Sequence, residues 1–179
     1  MATPPVFVSG AILTAAQLNA AGLWLVKKET IGTTVSSVPL TDVFSTDFDS
    51  YKIVVNGGVG SAAALLSCQL GATTTGYYWA HNYYTYAGST GASAGSNSAN
   101  FSRVGVISTT VLSSNFDLVN PFLAKNTIVN YSYVDPRTNG EAGAGGGFLN
   151  NTTSYTGFTL GVSSGTITGG TISVYGYRN

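Results

Sequence analysis

The sequence predicts an all-β fold: a jelly-roll-like β-sandwich of about eight to ten antiparallel strands, preceded by a short N-terminal arm and helix. Short runs of alternating apolar and polar residues recur, clearest in Tyr51-Lys52-Ile53-Val54-Val55 and in Thr171-Ile172-Ser173-Val174-Tyr175. A period of two sets one face of each run against a core. Breaks rich in Gly, Asn and Ser separate the runs at spacings of about 10–15 residues. No helical periodicity persists after Gly22.

Residues 1–25 read as an attachment arm. Thr3 to Gly10 carries Pro4 and Pro5, which fix φ and remove backbone donors, so this piece is extended. A helix start follows: Thr14 as N-cap with Gln17 three residues on, and Leu13 and Leu18 placed to staple across the cap. Ala15 to Ala21 make about two turns before Gly22 stops them. A helix that short does not persist alone, so it docks on its own domain, a neighbouring subunit or another protein. Pro5, Phe7, Leu13, Leu18 and Trp24 are the apolar residues expected at such a contact.

Residues 26–179 read as the sandwich. Strand-like composition begins around Leu23 to Ile31, and Val35 to Leu40 is extended with Pro39 marking an edge or a bend. The turn cluster Thr46 to Ser50 feeds the strand from Tyr51, which Asn56-Gly57-Gly58 ends. Ala62 to Ala72 begins with a helix-like Ala63-Ala64-Leu65-Leu66. The alternation of Leu66, Cys68 and Leu70 with Ser67 and Gln69 decides for a strand. Gly76 to Tyr86 is dense in aromatics. Ala87 to Asn100, almost wholly Gly, Ala, Ser, Thr and Asn, reads as a long loop, and Gly143 to Gly147 as a flexible run. Further strands are expected over Phe101 to Ser108, Ser114 to Val119, Thr127 to Val134 and Ser154 to Val162. Asp135 to Gly140 is a turn. The chain then ends on a hairpin, with Gly169-Gly170 turning Thr166-Ile167-Thr168 back onto the last strand.

Composition narrows the function classes. Charged residues make up 8% of the 179 residues, against roughly 25% in ordinary soluble domains. Seven basic residues balance seven acidic ones, so there is no footprint for nucleic acid or an anionic membrane surface. A surface of Ser, Thr, Asn and Tyr suits a protein held permanently in an assembly. The single cysteine, Cys68, excludes an intrachain disulfide and reads as a small buried hydrophobe. No apolar run approaches the roughly 20 residues of a membrane span. The first residues lack a secretory leader, so the expectation is synthesis in the cytoplasm and no membrane insertion.

Catalytic and metal chemistry find little purchase. His81 is the only histidine, which removes a multi-histidine metal site, and no Gly-x-Ser-x-Gly motif accompanies it. Asp47 and Asp49 lack the spacing of a calcium loop and fit an ordinary Asp turn. Glu29 and Glu141 stand too far apart in context for a glycosidase pair, and the glycine runs do not form a phosphate loop. No enzyme, cofactor or metal is expected. The remaining candidate is the aromatic cluster around Tyr78, Trp79, His81, Tyr83, Tyr84 and Tyr86. Its members either form a recognition surface able to stack on sugars or, by alternate positions, fill the core.

Phe7-Val8-Ser9-Gly10-Ala11-Ile12-Leu13-Thr14-Ala15-Ala16-Gln17-Leu18-Asn19 resembles a segment common in structural proteins of tailed bacteriophages, where it precedes a β-rich module. The ending Gly165 to Arg178 and the stretch Val43 to Val55 are similar to segments of the same proteins. The resemblance implies a virion protein on the particle exterior, commonly trimeric, with no catalytic residues. Two readings follow. One is a capsid decoration, cement or head-fibre protein bound to the major capsid protein, or another virion protein, through its arm. The other is a tail-fibre or tail-tip protein that binds host surface polysaccharide. The absence of a shaft or heptad repeat between arm and sandwich favours the first.

Overall fold

The computed structural model describes residues 9, 10, 12 and 22–177. The helix expected over Ala15 to Ala21 and the candidate contacts Pro5, Phe7, Leu13 and Leu18 lie outside the described residues. The described chain is all-β. Its strands are β1 (Leu23–Thr30), β2 (Ser37–Leu40), β3 (Ser50–Gly60), β4 (Ala64–Leu70), β5 (Tyr77–Thr85), β6 (Thr90–Ser98) and β7 (Phe101–Ile107). There follow β8 (Leu112–Val119), β9 (Thr127–Val134), β10 (Glu141–Leu149), β11 (Phe158–Val162), β12 (Ile167–Thr168) and β13 (Thr171–Tyr177). Thirteen strands exceed the eight to ten expected, and two of the additional ones, β6 and β10, occupy segments that read as a loop and a flexible run. β1 begins at Leu23, inside the segment expected as arm.

Pairing builds two layers. One runs β1-β13-β3-β8-β9-β10-β5-β6 with every neighbour antiparallel. The other is β2-β11-β4-β7. They meet at β8, which forks: Leu112, Ser113 and Ser114 pair with β7, and from Asn115 onward the same strand pairs with β9. The shorter layer folds over the inner face of the longer one. Phe158 of β11 meets Phe116 of β8 edge-on at 6.2 Å, and Tyr77 of β5 meets Phe101 of β7 edge-on at 4.8 Å.

The core follows the alternation read from sequence. Tyr51, Ile53 and Val55 on β3, Leu66, Cys68 and Leu70 on β4, and Ile172 and Val174 on β13 are all buried. Phe44 packs on Tyr51 at 4.7 Å and stacks on Phe158 at 5.8 Å. The Tyr51 hydroxyl accepts the Ser45 N–H at 2.8 Å, which ties the turn before β3 to the strand it feeds. Gly176 completes the inner face of β13, where a Cβ would stand 2.3 Å from the Phe48 ring. Only glycine leaves room for that ring.

The closing hairpin is not formed. β12 and β13 both run antiparallel to β3, Ile167 opposite Gly60 and Thr171 opposite Asn56, so the chain keeps its direction through Gly169-Gly170. The two glycines, at φ 71° and 92°, kink one long strand rather than reverse it. β3 bends beside them at Gly57, φ 77°. A Cβ on Gly170 would lie 2.6 Å from the Asn56 carbonyl oxygen, and one on Gly58 2.3 Å from that of Gly169. A glycine pair serves a turn or a bulge equally well; the long partner strand decides for the bulge.

Candidate functional site

β5 divides the aromatic cluster by parity. Tyr77, Trp79, His81 and Tyr83 point to the inner face, while Tyr78, Ala80, Asn82 and Tyr84 point outward. Tyr77 belongs to the core, its hydroxyl accepting the Leu70 N–H at 2.8 Å. Tyr84 is 64% exposed, and Tyr86, beyond the strand end, is exposed as well. The six candidates are therefore two sets on opposite sides of one sheet.

The inner set lies on a floor of glycine. In register across β9, β10, β5 and β6 run Val129–Gly147–Trp79–Gly95, then Tyr131–Gly145–His81–Ser93, then Tyr133–Gly143–Tyr83–Gly91. A Cβ at Gly91 would stand 2.2 Å from the Tyr83 ring, one at Gly95 2.4 Å from the Trp79 ring, and one at Gly145 2.8 Å from the Tyr131 ring. Each ring thus lies across the glycine of the next strand. Successive rings on β5 are nearly parallel: Trp79 to His81 at 5.9 Å and 20°, His81 to Tyr83 at 5.8 Å and 29°. Glycine strands carry no side chains to cover their own backbone, and these rings cover it for them.

Arg103 enters from β7. It has φ 61° and sits where the pairing of β4 with β7 slips between Leu66 and Ser67, a bulge that re-aims its side chain. Its guanidinium lies 5.5 Å from the centre of the Tyr83 ring and donates to the Tyr133 hydroxyl at 3.3 Å and to the Glu141 carboxylate. Tyr133 donates to the same carboxylate at 2.8 Å. Burial, with the Glu141 charge beside it, pushes the Tyr133 phenol up to about 12. His81 is 3% exposed. Burial and then the Arg103 charge pull its imidazole below the ordinary histidine value, with Glu141 opposing. Among the described residues, neither imidazole nitrogen has a hydrogen-bond partner, nor do Trp79 Nε1 and the Tyr131 hydroxyl.

The charges of this arrangement pair with one another inside it. The Glu141 carboxylate already accepts from Arg103 and Tyr133. His81 lacks the hydrogen bond that orients an acid–base histidine. No group of three or more His, Cys, Asp or Glu side chains converges among the described residues. Asp47 stays in its turn, its carboxylate accepting from the Ser45 hydroxyl at 3.1 Å, and the buried Cys68 thiol is pushed up by burial alone. A shallow cleft of about 570 Å³ opens beside Pro39, Thr73 and Tyr155, without an acidic or basic side chain in its lining. No helix among the described residues is long and apolar enough to cross a membrane.

The outer face has two poles. At the end where Leu23 pairs with Tyr177, the exposed Ile128 and Phe148 lie beside Tyr78, whose ring stacks on Phe148 at 5.1 Å and 10°, and Leu23 and Leu25 are exposed on β1, across β13, β3 and β8 from them. At the other end stand Tyr84, Tyr86 and Val134, all exposed. Trp24, expected as an assembly contact, is half-buried against the core from β1.

Comparisons with known proteins add no family. No family model matches the chain, and no curated protein does. Among solved structures, a chain from the structure of infectious bursal disease virus, Gx strain, aligns at 12% identity and a TM-score of 0.18. The alignment covers 86% of this chain and 41% of that one. At that score it carries no argument about fold or function.

Sequence reasoning missed Arg103, Tyr131 and Tyr133, and it took Glu141 only as half of a rejected pair. The available signal was scarcity: in a chain with 8% charged residues, a charge inside an apolar strand such as Phe101-Ser102-Arg103-Val104 calls for a buried partner.

Proposed function

We propose that this chain is a non-enzymatic structural protein of a tailed-phage virion: a capsid decoration, cement or head-fibre subunit on the particle exterior. In this reading it is a homotrimer, its module is an enlarged jelly roll whose shared strand is β8, and residues 2–22 bind the major capsid protein or another virion protein. The observation that carries the reading is the apolar pole. There Ile128 of β9, Phe148 of β10 and Tyr78 of β5 stand side by side in register on the outer face, while Leu23 and Leu25 are exposed at the same end of the sheet on β1, the strand that follows the arm, with β13, β3 and β8 between. Contiguous exposed apolar residues of this kind mark interaction sites. Deleting residues 2–22 should leave a folded β domain and abolish incorporation into particles. Normal copy number on particles after the deletion would overturn the attachment role, and sedimentation as a monomer would overturn the trimer.

A second reading rests on the opposite pole, where Tyr84, Tyr86 and Val134 are exposed. Two tyrosines free at a tip suit contact with host surface polysaccharide, as in a tail-fibre or tail-tip protein. Glycan binding that disappears in Tyr84→Ala/Tyr86→Ala would favour it over the shell-bound role; no binding across a panel of host polysaccharides would remove it.

A further inference from the structure

Among the described residues the sheet paths end on three strands, and two of these edges are blunted. β1 carries Lys27, Lys28 and Glu29 and a bulge after Leu25. β2 is four residues long and contains Pro39. Charge, bulges, proline and brevity are the devices by which proteins stop an edge from pairing with another chain. β6 has none of them over Thr90 to Gly95: the run is uncharged, lacks proline and keeps an unbroken register with β5 from Thr90 to Gly95.

The direction of its backbone groups follows from the ladder. Thr85 N–H donates toward β6, to Ser89, whereas Tyr86 N–H donates the other way, to Gly140. Alternation along an antiparallel pair then turns the N–H and C=O of Gly91, Ser93 and Gly95 toward β5. Those of Thr90, Ala92 and Ala94 face the open edge.

The run reads Gly91-Ala92-Ser93-Ala94-Gly95, the same in both directions. We infer that β6 pairs antiparallel with β6 of a second copy of this chain, across a two-fold axis at Ser93. In that register Ala92 meets Ala94 of the second copy, and each exchanges both backbone hydrogen bonds with its counterpart. Gly91 meets Gly95, and Ser93 meets Ser93, so the two small-residue runs match position by position, with each contact repeated across the axis as in any isologous interface. A second observation borders the same edge. Trp79 Nε1, which lies over Gly95, and both nitrogens of His81, which is opposite Ser93, are buried without partners among the described residues. The pairing joins the two aromatic floors into one continuous sheet. It is independent of the three-fold contact proposed above, because an edge pairing of this symmetry closes at two copies.

The test is site-directed crosslinking of the purified full chain. At the axis the Ser93 pair is non-hydrogen-bonded, with Cα atoms about 4.5 Å apart, within the span of a disulfide. Ser93→Cys should therefore form a covalent dimer under mild oxidation at least about tenfold faster than Ala87→Cys, which sits at the hairpin tip far from the axis. Charges on the outward-facing 92 and 94 positions then read the register. Ala92→Lys/Ala94→Lys in the Ser93→Cys background should suppress crosslinking, and Ala92→Lys/Ala94→Glu should restore it, because opposite charges face each other only in the antiparallel two-fold arrangement. Equal rates for Ser93→Cys and Ala87→Cys, or no difference between the two charge variants, overturns the inference. A trimer that persists while crosslinking fails would sink the edge contact and leave the three-fold proposal standing.

Discussion

Two regions of this sheet solve the same problem by opposite means. Around β3, β8 and β11, large side chains from both layers interlock, with Tyr51, Phe44, Phe158 and Phe116 each in ring contact with the next. In the wing formed by β9, β10, β5 and β6, the rings of Trp79, Tyr83, Tyr131 and Tyr133 lie over the glycines of the next strand. The first region buries side chain against side chain. The second buries backbone under side chain, so its stability resides in what the glycines lack.

The contrast can be broken most forcefully in the first region. Phe158→Ala removes a 2%-exposed ring that touches both Phe44 and Phe116, and urea unfolding should show a loss of about 3–5 kcal/mol. In the wing the sensitive change is the addition of atoms. Gly145→Val places a side chain where a Cβ already meets the Ala80 carbonyl oxygen at 2.5 Å and the Tyr131 ring at 2.8 Å, and should cost about 1–3 kcal/mol. Strand propensity alone favours valine over glycine, so a stabilised variant would refute the account of the glycine floor.

A third prediction sharpens the comparison through pH. His81 titrates lower in the folded wing than in the unfolded chain, so the unfolded state binds the proton more readily. Its contribution is present above the ordinary histidine value of about 6.5 and is lost as pH falls from there toward the lower value of the folded state. His81 is the only histidine. The melting temperature should therefore fall as pH drops below about 6.5, and His81→Phe should flatten that slope. An identical slope in the variant would place the effect elsewhere. The smallest effect belongs to the outer side of the same strand: Tyr84→Ala, at a 64%-exposed position, should change stability by less than about 0.5 kcal/mol.

The alternating strands were legible because each carries its own signal: Tyr51 to Val55, Leu66 to Leu70 and Ile172 to Gly176 all bury the face that their pattern predicts. The strands β6 and β10 were not. A clue was present, since Gly91, Gly95, Gly143, Gly145 and Gly147 fall on one parity within each segment. Glycine periodicity, however, has no hydrophobic amplitude, and local propensity assigns such runs to loops.

By itself, the sequence determined an all-β domain and the inward faces of its patterned strands, because alternation is a local property of the backbone, and it left the aromatic cluster open between core and surface. Only the tertiary structure decided which of those faces would be covered. It made Gly169-Gly170 a kink beside β3 rather than a hairpin turn, and it brought Arg103 to Glu141 from 38 residues away. It also turned two glycine runs into strands by laying rings across them. Each of these depends on a neighbour distant in sequence, and glycine, which accepts nearly any backbone conformation, leaves that neighbour to choose.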